Sequence, residues 1–302
     1  MMSTLLKRED GNVLILTAIA LLALLAITGL VIDGGMVYMQ KSHLQKTANA
    51  AALSGAQELT NSEESVQKVV QDILASHDET VSMNQLNITM NDQVNVRLTK
   101  PVNLAFSSLF GIDAVDVRAE ATASLGVMGR AVGVAPLGVD ETTPLQLYQE
   151  YQLKVGSGDS EAGNFGILAL GGSGARTYEE NLRYGYQEEL KIGDVVATQT
   201  GNIAEKTRSA VQEKINGCPE SPDNLFKRDC SRIILVPVYK PYNQTSNQVK
   251  EVIITGFAYF YIKDPMNSKE TSVTGIFIER AGTGFTEKGA SNYGAYAIRL
   301  SR

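Results

Sequence analysis

The sequence predicts an α+β fold in which a single N-terminal transmembrane helix runs on into a stalk and β-rich α+β domains follow. Three observations carry this. Residues 13–32 are twenty consecutive positions without a charge. Residues 36–59 contain no proline and repeat small side chains at helical spacing. Beyond residue 60, period-two apolar alternation is interleaved with short amphipathic helical patterns. The expected organisation is a tail over 1–12, the transmembrane helix and its helical extension over 13–59, a small α+β domain over 60–130, and a larger β-rich α+β domain over 131–302.

The uncharged run reads VLILTAIALLALLAITGLVI. At about 1.5 Å per residue, a helix of this length spans roughly the 30 Å of a bilayer's hydrocarbon core. Thirteen of its residues are Leu, Ile or Val, the types whose insertion into lipid is favourable. A cleavable secretory signal competes with this reading, but its apolar core is usually shorter and ends in a small-residue cleavage site. Here the exit is Gly29-Leu30-Val31-Ile32-Asp33, without an A-x-A pattern. An uncleaved anchor is therefore expected.

Asp33-Gly34-Gly35 is a soft spot, because Gly in a helix interior costs about 1 kcal/mol relative to Ala. The helix is nonetheless expected to continue, with Leu44, Ala48, Ala51, Ala52 and Ala56 on one face. Small side chains let another helix approach closely, so Ala48, Ala51, Ala52 and Gly55 are candidates for packing in an assembly. A plain stalk is the alternative. Asp33 marks the membrane boundary, either as a simple interfacial carboxylate or as the partner of another helix. Lys7 and Arg8 before the span balance Lys41 and Lys46 after it, so charge leaves the orientation open.

Net charge is −6 and no basic patch stands out, which argues against nucleic acid as a partner. The two cysteines, Cys218 and Cys230, share one short loop. On the far side of an anchor they read as a disulfide in an oxidising compartment. Closing a loop of that size stabilises by about 3 kcal/mol on the chain-entropy model. Two free thiols are the alternative; a zinc site would need further Cys or His nearby.

Asn61-Ser62-Glu63-Glu64 has the form of a helix start, and Val66, Val69, Val70, Ile73 and Leu74 follow at helical spacing. Leu86, Ile88 and Met90 alternate up to Asn91-Asp92, and Val94, Val96 and Leu98 alternate after it, which predicts a hairpin. Pro101 is expected to break the second strand, with a short helix over 102–110 ended by Gly111. A third strand follows over 115–123, then a linker over 129–136. In the remainder, strands are expected at 151–155 and 165–170 around the loop Gly156-Ser157-Gly158, helices at 176–190 and 203–216, and strands at 232–239, 251–262 and 272–279.

The N-terminal segment resembles the TadE/TadG-like family of tight-adherence (Flp-type) pilus assembly proteins. The residues that carry the resemblance are Glu9-Asp10-Gly11-Asn12, the apolar span, Asp33-Gly34-Gly35, and the helix from Leu44 through Ala48-Asn49-Ala50-Ala51-Ala52-Leu53-Ser54-Gly55-Ala56. Gly163-Asn164-Phe165-Gly166 and Thr198-Gln199-Thr200-Gly201-Asn202 are similar to longer TadG-like proteins. Asn49 replaces the family's usual Asp. Leu16 stands where prepilin-peptidase substrates carry Glu, and the D-x-S-x-S metal motif of some TadG-like proteins is missing. The resemblance implies a cell-membrane, single-pass accessory protein of a pilus system. Its N-terminus would be cytoplasmic and its other domains extracytoplasmic. Its partners would be the lipid bilayer and pilus assembly or pilin-like membrane proteins.

Catalytic patterns are weak. The only histidines are His43 and His77, so a His-dependent triad confined to the C-terminal part is impossible. Gly171-Gly172-Ser173-Gly174-Ala175 falls one Gly short of a nucleophile elbow and reads as a turn. Asp159/Glu161 and Glu188/Glu189 read as solvated carboxylates; the first pair sits where calcium could bind, without EF-hand spacing. Tyr259 and Tyr261 share one strand face, as a contact surface or a half-buried one. The expectation is a structural protein with no catalytic, cofactor or metal residues. The rival readings are a membrane-tethered extracellular hydrolase and a ligand-binding module.

Overall fold

The computed structural model describes residues 10–154, 165–199, 203–219, 225, 227–245 and 248–301. The loop at 156–158, Asp159 and Glu161, Gly163-Asn164 and residues 200–202 lie outside them. The architecture is α+β: one long N-terminal helix, its outer half apolar, followed by curled sheets with a few helices.

Helix α1 (Asp10–Ala56) is a single 47-residue element, about 70 Å long at 1.5 Å per residue. Gly34 and Gly35 do not interrupt it. Its inner half is amphipathic in a narrow sense. Leu44, Ala48, Ala51, Ala52 and Ala56 are fully buried against Val94, Val96, Leu98, Val117, Ala119, Ala121 and Ala123. Alanines on the helix thus meet alanines on a strand, and helix and sheet approach closely. Helix α2 (Glu63–Ser76) covers the same cluster with Val66, Val70 and Leu74. Its N-cap is Ser62, whose hydroxyl accepts the Ser65 N–H at 3.2 Å.

Strands β1 (Met83–Thr89) and β2 (Gln93–Asn103) form the expected hairpin, with Leu86 opposite Val96 and Ile88 opposite Val94. Asn91 turns the chain with φ of 60°, a conformation Asn tolerates. Pro101 does not end β2. It pairs opposite Asp116 of β3 (Ala114–Ala131), at a point where β1 has already stopped opposite Leu98. With one side of β2 unpaired there, Pro's missing donor costs little. The helix expected over 102–110 shrinks to a 3₁₀ turn, Ser107–Phe110.

The linker expected over 129–136 is strand in its first three residues, since β3 runs on to Ala131. Two glycines of β3 serve close approach. A Cβ on Gly126 would lie 2.6 Å from the Thr286 side chain, and one on Gly129 would lie 2.2 Å from Glu287.

The second sheet contains β4 (Leu137–Asp140), β5 (Glu150–Lys154), β6 (Phe165–Ile167), β8 (Val195–Ala197), β9 (Ile233–Thr245), β10 (Gln248–Ile262) and β11 (Ser272–Ile278), after which come β12 (Arg280–Gly282), β13 (Phe285–Thr286) and β14 (Ala295–Ser301). Helices α3 (Ala175–Tyr184) and α4 (Ala204–Gly217) pack on one face through Leu182, Ala210 and Val211 against Val236, Val238 and Phe260. The opposite face packs on the end of β3 and on β14, with Tyr259, Tyr261, Phe257 and Met128 in one cluster. Strand β7 (Leu190–Lys191) also joins β3. The first sheet runs β1-β2-β3-β14-β12, so the last strand of the chain returns to the sheet begun at residue 83. A boundary at 130/131 therefore falls inside β3, and the sheet pairing crosses it.

Candidate functional site

Among the described residues, α1 is the one helix long and apolar enough to cross a membrane. From Val13 to Ile32 its large apolar side chains are 44% to 72% exposed. An exposed apolar surface of this extent is far beyond the few hundred Å² that water tolerates on a protein surface. Asp33, directly after this run, is only 3% exposed.

The Asp33 carboxylate is held by the loop between β2 and β3. Its Oδ1 accepts the Ala105 N–H at 2.9 Å. Its Oδ2 accepts the Phe106 N–H at 3.1 Å, the Ser107 N–H at 2.6 Å and the Ser107 hydroxyl at 2.7 Å. These amides open the 3₁₀ turn Ser107–Phe110, which has no side-chain cap of its own. Asp33 thus caps, from another element, the orphan donors a helical turn leaves at its start. One helical turn outward, a Cβ on Gly29 would lie 2.7 Å from the Phe106 side chain, so only Gly lets the loop sit this close. The loop closes on itself: Leu104 N–H donates to Asp113 O at 2.9 Å, and Gly111 adopts the left-handed conformation with φ of 80°. Asp33 is therefore neither a free interfacial carboxylate nor a group left open for a second helix. Its hydrogen bonds lie within the chain.

A second set of contacts fixes the inner half of α1. Glu79 is buried and takes Lys100 Nζ at 2.6 Å and the Ser82 hydroxyl, with His43 Nε2 at 3.5 Å. Burial raises the Glu79 pKa, but the hydrogen bonds from Lys100 and Ser82 and the nearby Lys100 charge outweigh it and hold the carboxyl below its ordinary value. His77 sits against His43, ring centroids 6.0 Å apart. Both histidines of the chain thus belong to the helix's lock on the sheet. Lys41 donates to Arg118 O, and Gln45 donates to Glu120 O at 2.7 Å and to Asn49 Oδ1 at 3.0 Å.

The packing face predicted for a partner helix lies inside the chain. Ala48, Ala51 and Ala52 are fully buried, and a Cβ on Gly55 would meet Val70 at 2.7 Å. The small side chains admit the protein's own sheet and α2. Sequence spacing shows that a face is small and apolar; it does not show what covers it.

The end of α1 docks on the C-terminal half. Arg228 Nε donates to Glu58 at 2.6 Å and its Nη2 to Ser54 O at 2.8 Å, while Arg280 donates to Arg228 O at 2.6 Å. A cleft of about 630 Å³ lies over this seam, lined by Gln57, Glu58, Arg228, Tyr259 and Arg280. Cys218 and Cys230 are joined, with Cα atoms 5.2 Å apart, and their bridge ties the segment bearing Arg228 to the end of α4.

Gly171 and Glu189, two of the sequence-level candidates for chemistry, line one pocket with Tyr186 and Asp194. Gly171, Gly172 and Gly174 all have positive φ and lead into α3 as an open turn. Glu188 accepts the Tyr186 hydroxyl at 2.9 Å, and Glu189 faces Arg130 at 3.4 Å. Tyr259 and Tyr261 are buried in the core. Among the described residues no group of three or more His, Cys, Asp and Glu is placed to hold a metal.

Residues 11–58 match the family model described as putative Flp pilus-assembly TadE/G-like. The N-terminal segment is similar to that family. No curated protein and no solved structure matches the chain. The matched segment coincides with α1 and the turn after it, and so includes the exposed apolar run, Asp33, the alanine face and Glu58. What sequence reasoning missed is the receptor for that helix: the loop at 104–113, the Glu79–Lys100 pair and Arg228. The signal available was Asp33 itself, a lone acid at the end of an apolar run that requires donors.

Proposed function

We propose that the protein is a single-pass envelope protein that acts structurally in Flp/Tad-type pilus assembly or surface attachment. Its N-terminus would be cytoplasmic and the domains beyond Asp33 extracytoplasmic. The carrying observation is the overlap of the TadE/G-like match with a helix that is lipid-compatible on its outer half and built into a folded core on its inner half. Such a helix transmits position rigidly from the bilayer to the domains it carries, as an assembly or attachment factor requires. The Cys218–Cys230 pair favours the orientation, since disulfides persist outside the cytosol. The partners on this reading are the lipid bilayer and pilus assembly or pilin-like membrane proteins, engaged through surfaces other than the buried alanine face.

Deletion of the gene tests the reading. Pili and pilus-dependent adherence should be lost and restored by the intact gene. Intact pili and adherence together with loss of a hydrolytic activity would replace it with the tethered-hydrolase alternative. Protease added to wall-stripped cells should remove the bulk of the chain; protection of that bulk would reverse the orientation.

A further inference from the structure

We propose that the loop at 104–113 is a second membrane contact, a finger whose apolar tip enters the outer leaflet beside the transmembrane helix. The inference rests on the reading of α1 as a membrane span. Leu109 is 79% exposed, Phe110 75% and Ile112 52%, and Phe106 lies at their base. The described residues leave the Leu109, Phe110 and Ile112 side chains exposed. Their position identifies what covers them. Phe106 packs on Gly29, three residues inside the end of the apolar run, and so about 5 Å toward the bilayer centre from Ile32 at 1.5 Å per residue. The exposed apolar surface of the loop is therefore continuous with that of the helix. Interfacial elements bury their apolar faces about 5–10 Å into the headgroup and acyl boundary, which is the depth this attachment imposes. Tyr38, exposed on α1 just beyond Asp33, stands where interfacial aromatics anchor spans.

The backbone is prepared for that environment. Irregular chain at membrane depth is tolerated only where its polar groups are satisfied. Asp33 takes the three leading amides of the turn, Gly111 N–H donates to Ser108 O at 3.0 Å, and Ile112 N–H donates to Ser107 O at 3.1 Å. Without a lipid contact, the chain would place the Phe110 ring, 75% exposed, in water at the level of the hydrocarbon edge.

The chain has no tryptophan, so a single introduced Trp reports without background. Full-length Phe110→Trp is reconstituted into vesicles of phosphatidylethanolamine and phosphatidylglycerol, with or without dibrominated phosphatidylcholine. Leu22→Trp reports the centre of the span, and Tyr242→Trp an exposed position on the second sheet. Phe110→Trp should emit at shorter wavelength than Tyr242→Trp. It should lose at least half its emission to bromines placed shallow in the acyl chain, with Leu22→Trp quenched best by deeper ones. If Leu22→Trp is quenched and Phe110→Trp emits like Tyr242→Trp, the finger is free of lipid, left to a protein partner, and the proposal is overturned while the anchor stands. If Leu22→Trp is itself unquenched, the anchor reading fails and the finger falls with it.

Discussion

Asp33 shows how one side chain can decide where a membrane helix becomes part of a folded domain. Its carboxylate receives three amides and a hydroxyl, and charge-assisted bonds of this kind are the stronger class. Asp33→Ala should destabilise the loop at 104–113 by roughly 0.5–2 kcal/mol, because it removes a cap and leaves part-buried donors unpaired. Asp33→Asn should recover part of the loss, since Asn also caps. Amide exchange at Ala105, Phe106 and Ser107 is the readout, and unchanged protection in Asp33→Ala would refute the role. Ala52 makes the complementary case. Overpacking a closed core costs about 1–3 kcal/mol, so Ala52→Leu should lower the unfolding midpoint of the purified protein with no partner present. Glu79 adds a pH dependence. Its carboxyl titrates below its ordinary value of 4.5 in the folded protein, so its stabilisation is present above that value and is lost as pH falls through the lower folded pKa. Unfolding measured from near-neutral to acidic pH should show a steeper loss for wild type than for Glu79→Gln. Equal slopes would mean that Lys100, Ser82 and His43 do not act through this carboxyl. The sequence made Asp33 and the alanine face visible as features, because charge and size are local properties. Their occupants were not visible, because Ala105–Ser107 and Val94–Leu98 meet them only through the fold.

Element α1 was legible as a long helix from its uncharged run and its proline-free continuation, and the hairpin from strict alternation around Asn91-Asp92. Local rules failed where tertiary context relaxed them. Pro101 continues β2 because β1 has ended beside it, and Gly126 and Gly129 extend β3 because another segment crosses there. Gly34 and Gly35 are a different kind of exception. Neither would meet anything within 4 Å of an added Cβ, and the helix passes through both. Packing therefore does not explain them. Gly34→Ala with Gly35→Ala should stabilise the helix by about 0.4–1 kcal/mol per site, chiefly by narrowing the unfolded ensemble. The stabilisation should appear as slower amide exchange over 34–40. A variant that is slower to exchange yet defective in adherence would identify the pair as a functional bend between bilayer and domain.

At the scale of the molecule, the two halves are less separate than composition indicated. Residues 60–130 have a core that reads as complete in sequence: a helix, a hairpin and a third strand. The structure adds β14, placed beside β3 with Tyr296 opposite Val127 and Ser301 opposite Thr122. Ala295 and Ala297 are buried in the cluster shared with Tyr259 and Tyr261, so this strand is core to both sheets. It was invisible to pattern reading because seven residues of mixed polarity carry little alternation, and their partner lies far away in sequence. Deleting residues 295–302 should therefore act at a distance. It would leave β3 with an unpaired edge between residues 122 and 127, and an open edge of that kind invites pairing with other chains. The expected outcome is faster proteolysis within 80–130 and self-association of the truncated protein, although every residue of the first half is intact. Two independent domains predict the opposite, a fragment pattern in which 60–130 stays resistant and monomeric. Limited proteolysis with mass mapping, run beside sedimentation of the detergent-solubilised protein, separates the two. Protection of 60–130 in the truncated chain would mean that β14 only decorates a sheet already stable without it.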